Sequence, residues 1–313
     1  MIQIPTRIKM QGGAEEMQVG GAGGRSSNDY IPVLRSGSWA DKGYIRRYME
    51  DEHICIDDIR DPHFQSMAFY GVFDGHSGGD AAKYIKQNLL DFIIHDVHFF
   101  DVGVERAMKN AFLKADAALA EANITSGTTA LVAMVSGKSL VVANAGDCRA
   151  VLGKSGGRAL ELSTDHKPTS SAERSRVESL GGFVDDEGYL NGKLAVSRAL
   201  GDFHLKDCVP SPLIAEPEVR EIDLSEEDEF LIIASDGVWD VITSELAIHI
   251  VRRELISSND PELCCRVLIA EALQRHSTDN LTVVVVCFSA GPPKRNLFVN
   301  SRLGRSTKTG RAL

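Results

Sequence analysis

Apolar residues recur along this chain with two different periods, and the switches between them mark its elements. SGSWADKG, YMEDEHICID and AFYGVFD predict extended segments, the third a short buried strand. GGDAAKYIKQNLLDFIIHDV and VGVERAMKNAFLKADAALAEA carry apolar residues three and four apart, which predicts two successive helices. From Thr128 to about Leu162 the pattern becomes TALVAMVSG, SLVVANAGD, RAVLGK and RALELS, separated by GK, DC and GG turn signals. These runs leave no room for crossover helices, so they must pair antiparallel. A helix around SSAERSRVESLGG follows, then an irregular segment to about Pro217 and the strand EFLIIASD. The helices SELAIHIVRRELI and PELCCRVLIAEALQRH and the strand LTVVVVCF complete the series. Strand groups alternating with helix pairs predict an α+β layered fold, stacked antiparallel sheets covered by helices.

The ends read differently. GGAEEMQVGGAGGRSSN has too little apolar surface to offset chain entropy, so residues 1–28 are expected to form a flexible arm. Residues 29–290 form the folded unit, and residues 291–313 a basic flexible tail. In that tail Lys294, Arg295, Arg302, Arg305, Lys308 and Arg311 meet no acidic residue. It reads as a solvated end, with a nuclear address or an anionic docking arm as the alternatives.

Composition narrows the function. Of 313 residues, 43% are hydrophobic and 25% charged, ordinary for a soluble protein with a packed core. A net charge of -10 argues against general nucleic-acid binding, which needs a basic face to displace counterions. The six cysteines lack CxxC spacing and follow no secretory leader pattern, so a reducing compartment is expected, cytoplasmic and/or nuclear. No apolar run approaches the ~20 residues of a membrane span.

Aspartates stand at strand edges far apart in the chain: Asp74 and Asp236 close apolar runs and Asp279 opens one. If the Asp279 strand runs antiparallel to the others, all three carboxylates reach one sheet rim. Such a cluster is costly without a cation, and oxygen ligands alone favour Mg²⁺ or Mn²⁺ over zinc. Singly, each Asp could be only a turn former. Glu50 and Asp51 add acid to an extended segment; one could bind metal while the other holds a water, or the pair could mark a charged strand edge. Arg46 could clamp an anionic group while Arg47 serves as a surface charge, two roles that sequence leaves partly interchangeable.

Three other signals compete. GHSGG at 75–79 fits a nucleophile elbow, with Ser77 attacking and Asp240 and His276 completing a triad, but that elbow belongs to a parallel sheet. His76, two residues beyond a proposed ligand, could donate a proton to a leaving group. GKS at Gly137 and Gly153 lacks the earlier glycine of a phosphate loop and reads as hairpin turns.

RRYMED (46–51), YGVFDGHSGG (70–79), SGTTA (126–130), ANAGDCRAVL (143–152), DHKP (165–168), LAVSRALGD (194–202), SDGVWDV (235–241) and DNLTVVVV (279–286) together resemble the metal-dependent type 2C protein serine/threonine phosphatases, with a plant-like flavour. The motifs run in family order across nearly the whole folded unit. The resemblance implies a central sandwich of two antiparallel β-sheets flanked by pairs of antiparallel helices, with two Mn²⁺ or Mg²⁺ ions at one edge. It implies metal contacts by Asp74, the Gly75 carbonyl, Asp236 and Asp279, and direct or water-mediated contacts by Glu50 and Asp51. Arg46 would hold the substrate phosphate and His76 would protonate the departing oxygen. Asp147 and Asp240 match positions of a weaker third metal. The implied reaction is hydrolysis of phosphoserine and phosphothreonine in phosphoproteins by a metal-activated water, without a phosphoenzyme. The expected state is a monomer. The segment from about Ser170 to Pro212 resembles the variable flap, and it lacks the tryptophan of the hormone-receptor-binding plant members, which argues against an abscisic-acid co-receptor role. A serine hydrolase and a phosphatase-like binding protein without turnover are the competing functions.

Overall fold

Seven consecutive buried residues, Met67–Phe73, make β3, and the two-residue period of a strand sorts them onto two faces. Tyr70 and Val72 point into the space between two sheets, whereas Phe69 and Phe73 point outward beneath helices. The computed structural model describes residues 30–59, 67–97, 99, 103–206 and 210–294. The proposed arm 1–28 and nearly all of the basic tail lie outside the described residues.

One sheet has the order β11-β7-β6-β3-β2, from β2 (Glu52–Ile59), β6 (Ala130–Ser136), β7 (Ser139–Ala145) and β11 (Glu218–Asp223) around β3. The other has the order β1-β13-β12-β8-β9, from β1 (Arg35–Asp41), β8 (Arg149–Lys154), β9 (Arg158–Glu161), β12 (Asp228–Ala234) and β13 (Leu281–Cys287). Every pairing in both sheets is antiparallel. Leu131, Ala133, Leu152, Leu231, Ile233, Val284 and Val286 join Tyr70 and Val72 in the core between them. A third, small sheet joins β4 (Gly75–His76), β5 (Gly127–Thr128) and β10 (Leu200–Gly201) in the order β10-β5-β4.

Helices cover both outer faces. On one side α1 (Asp80–Ile94) and α2 (Val104–Glu121) set Ile85, Leu89, Met108 and Phe112 against Phe69, Phe73 and Met134. On the other, α5 (Ser244–Ser258) and α6 (Pro261–Gln274) set Ile248, Val251, Leu268 and Ile269 against Phe230, Ile232, Val283 and Val285. The starts of α5 and α6 are legible in sequence: Thr243 accepts from the Leu246 amide, and Asp260 accepts from the Glu262 and Leu263 amides with Pro261 in the first turn. Each such cap is worth about 1 kcal/mol. The result is the expected α+β fold, a two-sheet sandwich with helix pairs outside.

Two details differ from the sequence expectation. The four strands between Thr128 and Leu162 pair as hairpins β6–β7 and β8–β9, but the hairpins lie in opposite sheets. The chain crosses between them at Gly146, Asp147 and Cys148, with Gly146 at φ 127°. The Glu218–Asp223 segment, to which the sequence pattern assigns no element, is an edge strand against β7. Its acidic, largely exposed side chains hide the strand period, as edge strands often do.

The segment after β9 carries α3 (Ser171–Ser179) and a small core of Val177, Leu190, Val196, Ala199 and Leu213. Beneath it, Glu173 accepts hydrogen bonds from Arg176, Arg198 and Ser197.

Candidate metal centre

Both sheets end at one cleft of about 520 Å³. Asp74 follows β3 in one sheet, whereas Asp236 follows β12 and Asp279 precedes β13 in the other. Antiparallel pairing of β12 and β13, with Ala234 opposite Val283, brings Asp236 and Asp279 to the same end. The carboxylates therefore meet across the sandwich edge and not along the rim of a single sheet. Asp147 joins them from the crossover between β7 and β8. Carboxylate oxygens of Asp74, Asp147 and Asp236 all lie within 4.8 Å of one another.

Local sequence sets these positions. The Asp74 carbonyl accepts from the Thr129 amide at 2.9 Å and from the Thr128 hydroxyl at 3.1 Å, and the Asp74 amide donates to the Thr129 hydroxyl at 3.1 Å. Gly75 is required by close approach, because a Cβ there would lie 2.4 Å from the Glu50 carbonyl oxygen. Asp236 opens the single turn α4 (Asp236–Trp239). Glu50 lines the cleft, whereas Asp51 turns inward and accepts from the Ser235 and Thr282 hydroxyls, each at 2.8 Å. Asn280 fastens the RRYMED segment to the start of β13. Its oxygen accepts from the Glu50 amide at 2.8 Å, and its amide donates to the carbonyls of Lys42 and Tyr48. Arg46, half exposed on the same segment, donates to the Asp279 carboxylate.

So much negative charge in a confined site disfavours ionisation. Burial, with the Asp236 charge, pushes Asp147 up to about 8. Burial pushes Asp51 up to about 7 against the opposing hydrogen bonds from Thr282 and Ser235. Burial, with Asp279 and Asp240 nearby, pushes Asp236 up to about 6. Asp74 is raised well above the ordinary carboxylate range by burial and by Asp51, Asp236, Asp147 and Asp279. One Asp236 oxygen, Oδ1, is buried without a hydrogen-bond partner. Converging oxygens, an orphaned acceptor and raised carboxyl pKa values fit a hard divalent cation, whose charge would supply what the side chains lack. Lys167, 3.6 Å from Asp147 and 3.1 Å from Asp240, balances only part of that charge, and Asp240 is exposed at the cleft.

His76 reaches the cleft from β4, and its Nε2 lies 2.6 Å from Asp202 Oδ2. Ser77 has φ 60°, a strain that a nucleophile elbow would share. The antiparallel sheets are not the parallel sheet such an elbow needs, and His276 lies exposed beyond α6, apart from the residues lining the cleft. Asp240 does line it, but no triad assembles. Sequence reasoning gave no role to Asp202, Asn280, Ser235 or Thr282. Asp202 stood in LAVSRALGD and Asn280 in DNLT, but their partners are 126 and more than 230 residues away, a separation that no local pattern encodes.

A family model described as Protein phosphatase 2C matches residues 38–281. Over 291 residues the chain is 53% identical to "Probable protein phosphatase 2C 27" of Arabidopsis thaliana, covering 89% of this chain and 76% of that protein. It is 47% identical over 292 residues to "Probable protein phosphatase 2C 54" of Oryza sativa subsp. japonica, covering 90% and 80%. Among solved structures, a serine-threonine phosphatase 2C from Toxoplasma gondii superposes with a TM-score of 0.71 at 22% identity, covering 83% of this chain and 97% of that one. At that identity the likeness speaks for the fold.

Proposed function

The chain belongs to the protein phosphatase 2C family and is a metal-dependent protein serine/threonine phosphatase; on that premise, we propose which of its residues hold the cations, the phosphate and the leaving oxygen. The observation that carries the assignment is the convergence of Asp74, Asp147 and Asp236 beside an unpartnered Asp236 oxygen. Asp74, the Gly75 carbonyl, Asp236 and Asp279 would hold two Mn²⁺ or Mg²⁺ ions, with Glu50 lining the cleft and Asp51 supporting from behind. Asp147 and Asp240 would serve a weaker third ion. When bound, the cations would lower the pKa of water and offset charge on the phosphoryl oxygens.

The remaining work falls to the chain itself. Ser235 and Thr282 fix the Asp51 carboxylate, and Asn280 fixes the segment that carries Glu50 and Arg46. The Arg46 guanidinium, exposed at the mouth, has the fork geometry to grip phosphate oxygens and orient the ester for in-line attack by water. His76 would give its proton to the departing serine or threonine oxygen, the poorest leaving group in the reaction. Water attacks phosphorus directly, and Ser77 forms no covalent intermediate.

Phosphoproteins are the substrates this chemistry implies, and no described helix is long and apolar enough to cross a membrane. We read the protein as a monomer with its catalytic domain at 29–290, acting in the cytoplasm and/or nucleus; among the described residues five cysteines are free thiols, four of them buried, which supports a reducing compartment. The decisive assay is phosphopeptide hydrolysis with Mn²⁺ or Mg²⁺ present and then chelated, in wild type, Asp74→Asn and Asp236→Asn. Cation-dependent activity lost in both variants is expected. Undiminished hydrolysis after thorough chelation would overturn the proposal.

A further inference from the structure

His76 is held by a carboxylate that comes from the far side of the flap segment, and the surroundings are shaped for that pair. Asp202 is 1% exposed, and its Oδ2 sits 2.6 Å from His76 Nε2. The two residues belong to the ends of the small sheet: β4 contains His76, β10 ends at Gly201, and β5 lies between them. At Gly127 of β5 a Cβ would fall 2.0 Å from Asp202 Oδ2 and 2.3 Å from His76 Nε2, so only glycine leaves room for the contact.

The backbone of Asp202 is placed at some cost. It has φ 54°, in the left-handed region that non-glycine residues seldom adopt, and it follows Gly201 at φ 87°. Asp116 of α2 anchors this turn by accepting from the Gly201 amide at 2.7 Å and from Lys206 Nζ at 2.8 Å. A strained backbone, a missing side chain opposite and an anchor from a neighbouring helix all serve to bring one buried carboxylate to one imidazole nitrogen.

We infer that Asp202 is the positioning residue for His76, fixing its ring plane with Nε2–H on the carboxylate, so that in the doubly protonated ring Nδ1–H is the proton left to give to the leaving oxygen. Nε2–H donates to the Asp202 carboxylate, which keeps the ring from flipping at the edge of an acidic cleft. This rests on His76 as the proton donor proposed above. Asp202 touches neither substrate nor cation; it acts through the histidine.

The test compares the Mg²⁺-loaded full chain with Asp202→Asn, His76→Gln and the double variant on two substrates, a phosphothreonine peptide and 4-nitrophenyl phosphate. A histidine acting as proton donor contributes about 10²–10⁴-fold with a basic alkoxide and little with an aryl oxide that leaves unaided. Asp202→Asn is expected to lower kcat on the peptide by about 10–100-fold with KM unchanged, and to change the aryl ester by less than about 3-fold. The double variant should be no slower than His76→Gln. Equal slowing of both substrates by Asp202→Asn, or multiplicative losses in the double variant, would overturn the inference while leaving His76 intact as donor. Equal slowing of both substrates by His76→Gln would remove the donor assignment and this inference with it. A readout independent of any variant is the ¹⁵N–¹H spectrum of the wild-type His76 ring. A hydrogen on Nε2 supports the inference, and a ring protonated only on Nδ1 contradicts it.

Discussion

The side-chain amide of Asn280 holds the carbonyl of Tyr48 at 3.0 Å, tying the loop after β1 to the residue beside Asp279. The same side chain holds Lys42 and the Glu50 amide, so three backbone groups of one loop depend on it. Asn280→Ala leaves these groups without partners and is expected to cost on the order of 3 kcal/mol, together with a raised KM as Arg46 loses its placement. Asn280→Asp keeps the shape but loses two donors and adds charge beside Asp279, so it should be worse. Urea unfolding and phosphopeptide kinetics check both; an unchanged midpoint in Asn280→Ala would refute the fastening role.

The acidic cluster sets a pH dependence for the metal-free protein. Asp147, Asp51 and Asp236 are raised in the folded state to about 8, 7 and 6, from about 3.9 in an unfolded chain. A raised carboxyl binds more protons folded than unfolded, so stability is fully present below pH ~4 and is lost as pH rises through the folded values. In chelator, the Tm should fall by about 5 °C or more between pH 5.5 and 8, each kcal/mol being worth about 2–4 °C in a domain of this size. Saturating Mg²⁺ should close the gap, and Asp147→Asn should raise the metal-free Tm at pH 8. A flat profile in chelator would show that these carboxyls are not strained by one another.

Arg46 meets Asp279 through its guanidinium and remains half exposed at the mouth of the cleft. Arg46→Ala should raise KM for a phosphopeptide by about tenfold or more, with little change in Tm. Arg46→Lys should recover only part of that, because an ammonium cannot make the two parallel contacts of a guanidinium. Equal KM values for all three proteins would move phosphate recognition elsewhere, Arg47 being the nearest alternative in sequence.

Glu173 behaves in the opposite sense to the acidic cluster. Burial pushes its pKa up, but hydrogen bonds from Arg198, Arg176 and Ser197 reverse this and hold it well below the usual carboxylate range. A depressed carboxyl stabilises the fold above its unfolded pKa of about 4.3, and that contribution is lost as pH falls toward the folded value. Glu173→Gln, which leaves two guanidiniums without their carboxylate, should cost roughly 2–4 kcal/mol at pH 7 and progressively less below pH ~4.3. Limited proteolysis of the segment around Leu190 would report the loosening, and a pH-independent difference between variant and wild type would contradict the assignment.

Ser77 sits at φ 60°, where glycine is at ease and most side chains are not. Ser77→Gly should keep phosphatase activity within about threefold and leave stability unchanged or slightly improved. Abolition of turnover with the fold intact would revive the serine nucleophile.

Much of this was legible because it is local. Periodicity located β3, β12, β13 and the four long helices, since each buries a full apolar face and the pattern is written into consecutive residues. Aspartates at the ends of those strands pointed to a common edge for the same reason. What escaped notice depends on pairing over distance. The EVREID strand is recognisable only by its ladder to β7, and the crossing at Asp147 only once β7 and β8 are seen in different sheets. Asp147, matched by resemblance to a weaker third site, has a carboxylate oxygen within 4.8 Å of those of Asp74 and Asp236, which its sequence neighbours Gly146 and Cys148 give no means to anticipate.

Acids donated by both leaves of the sandwich make the cleft a seam. Any ion lodged there would rivet one leaf to the other at a point where only the 146–148 crossing joins β7 to β8. Amide protons in β3 and β12, on opposite leaves, should then exchange with solvent more slowly and in step when magnesium is added, and the protein should come apart as one body instead of two.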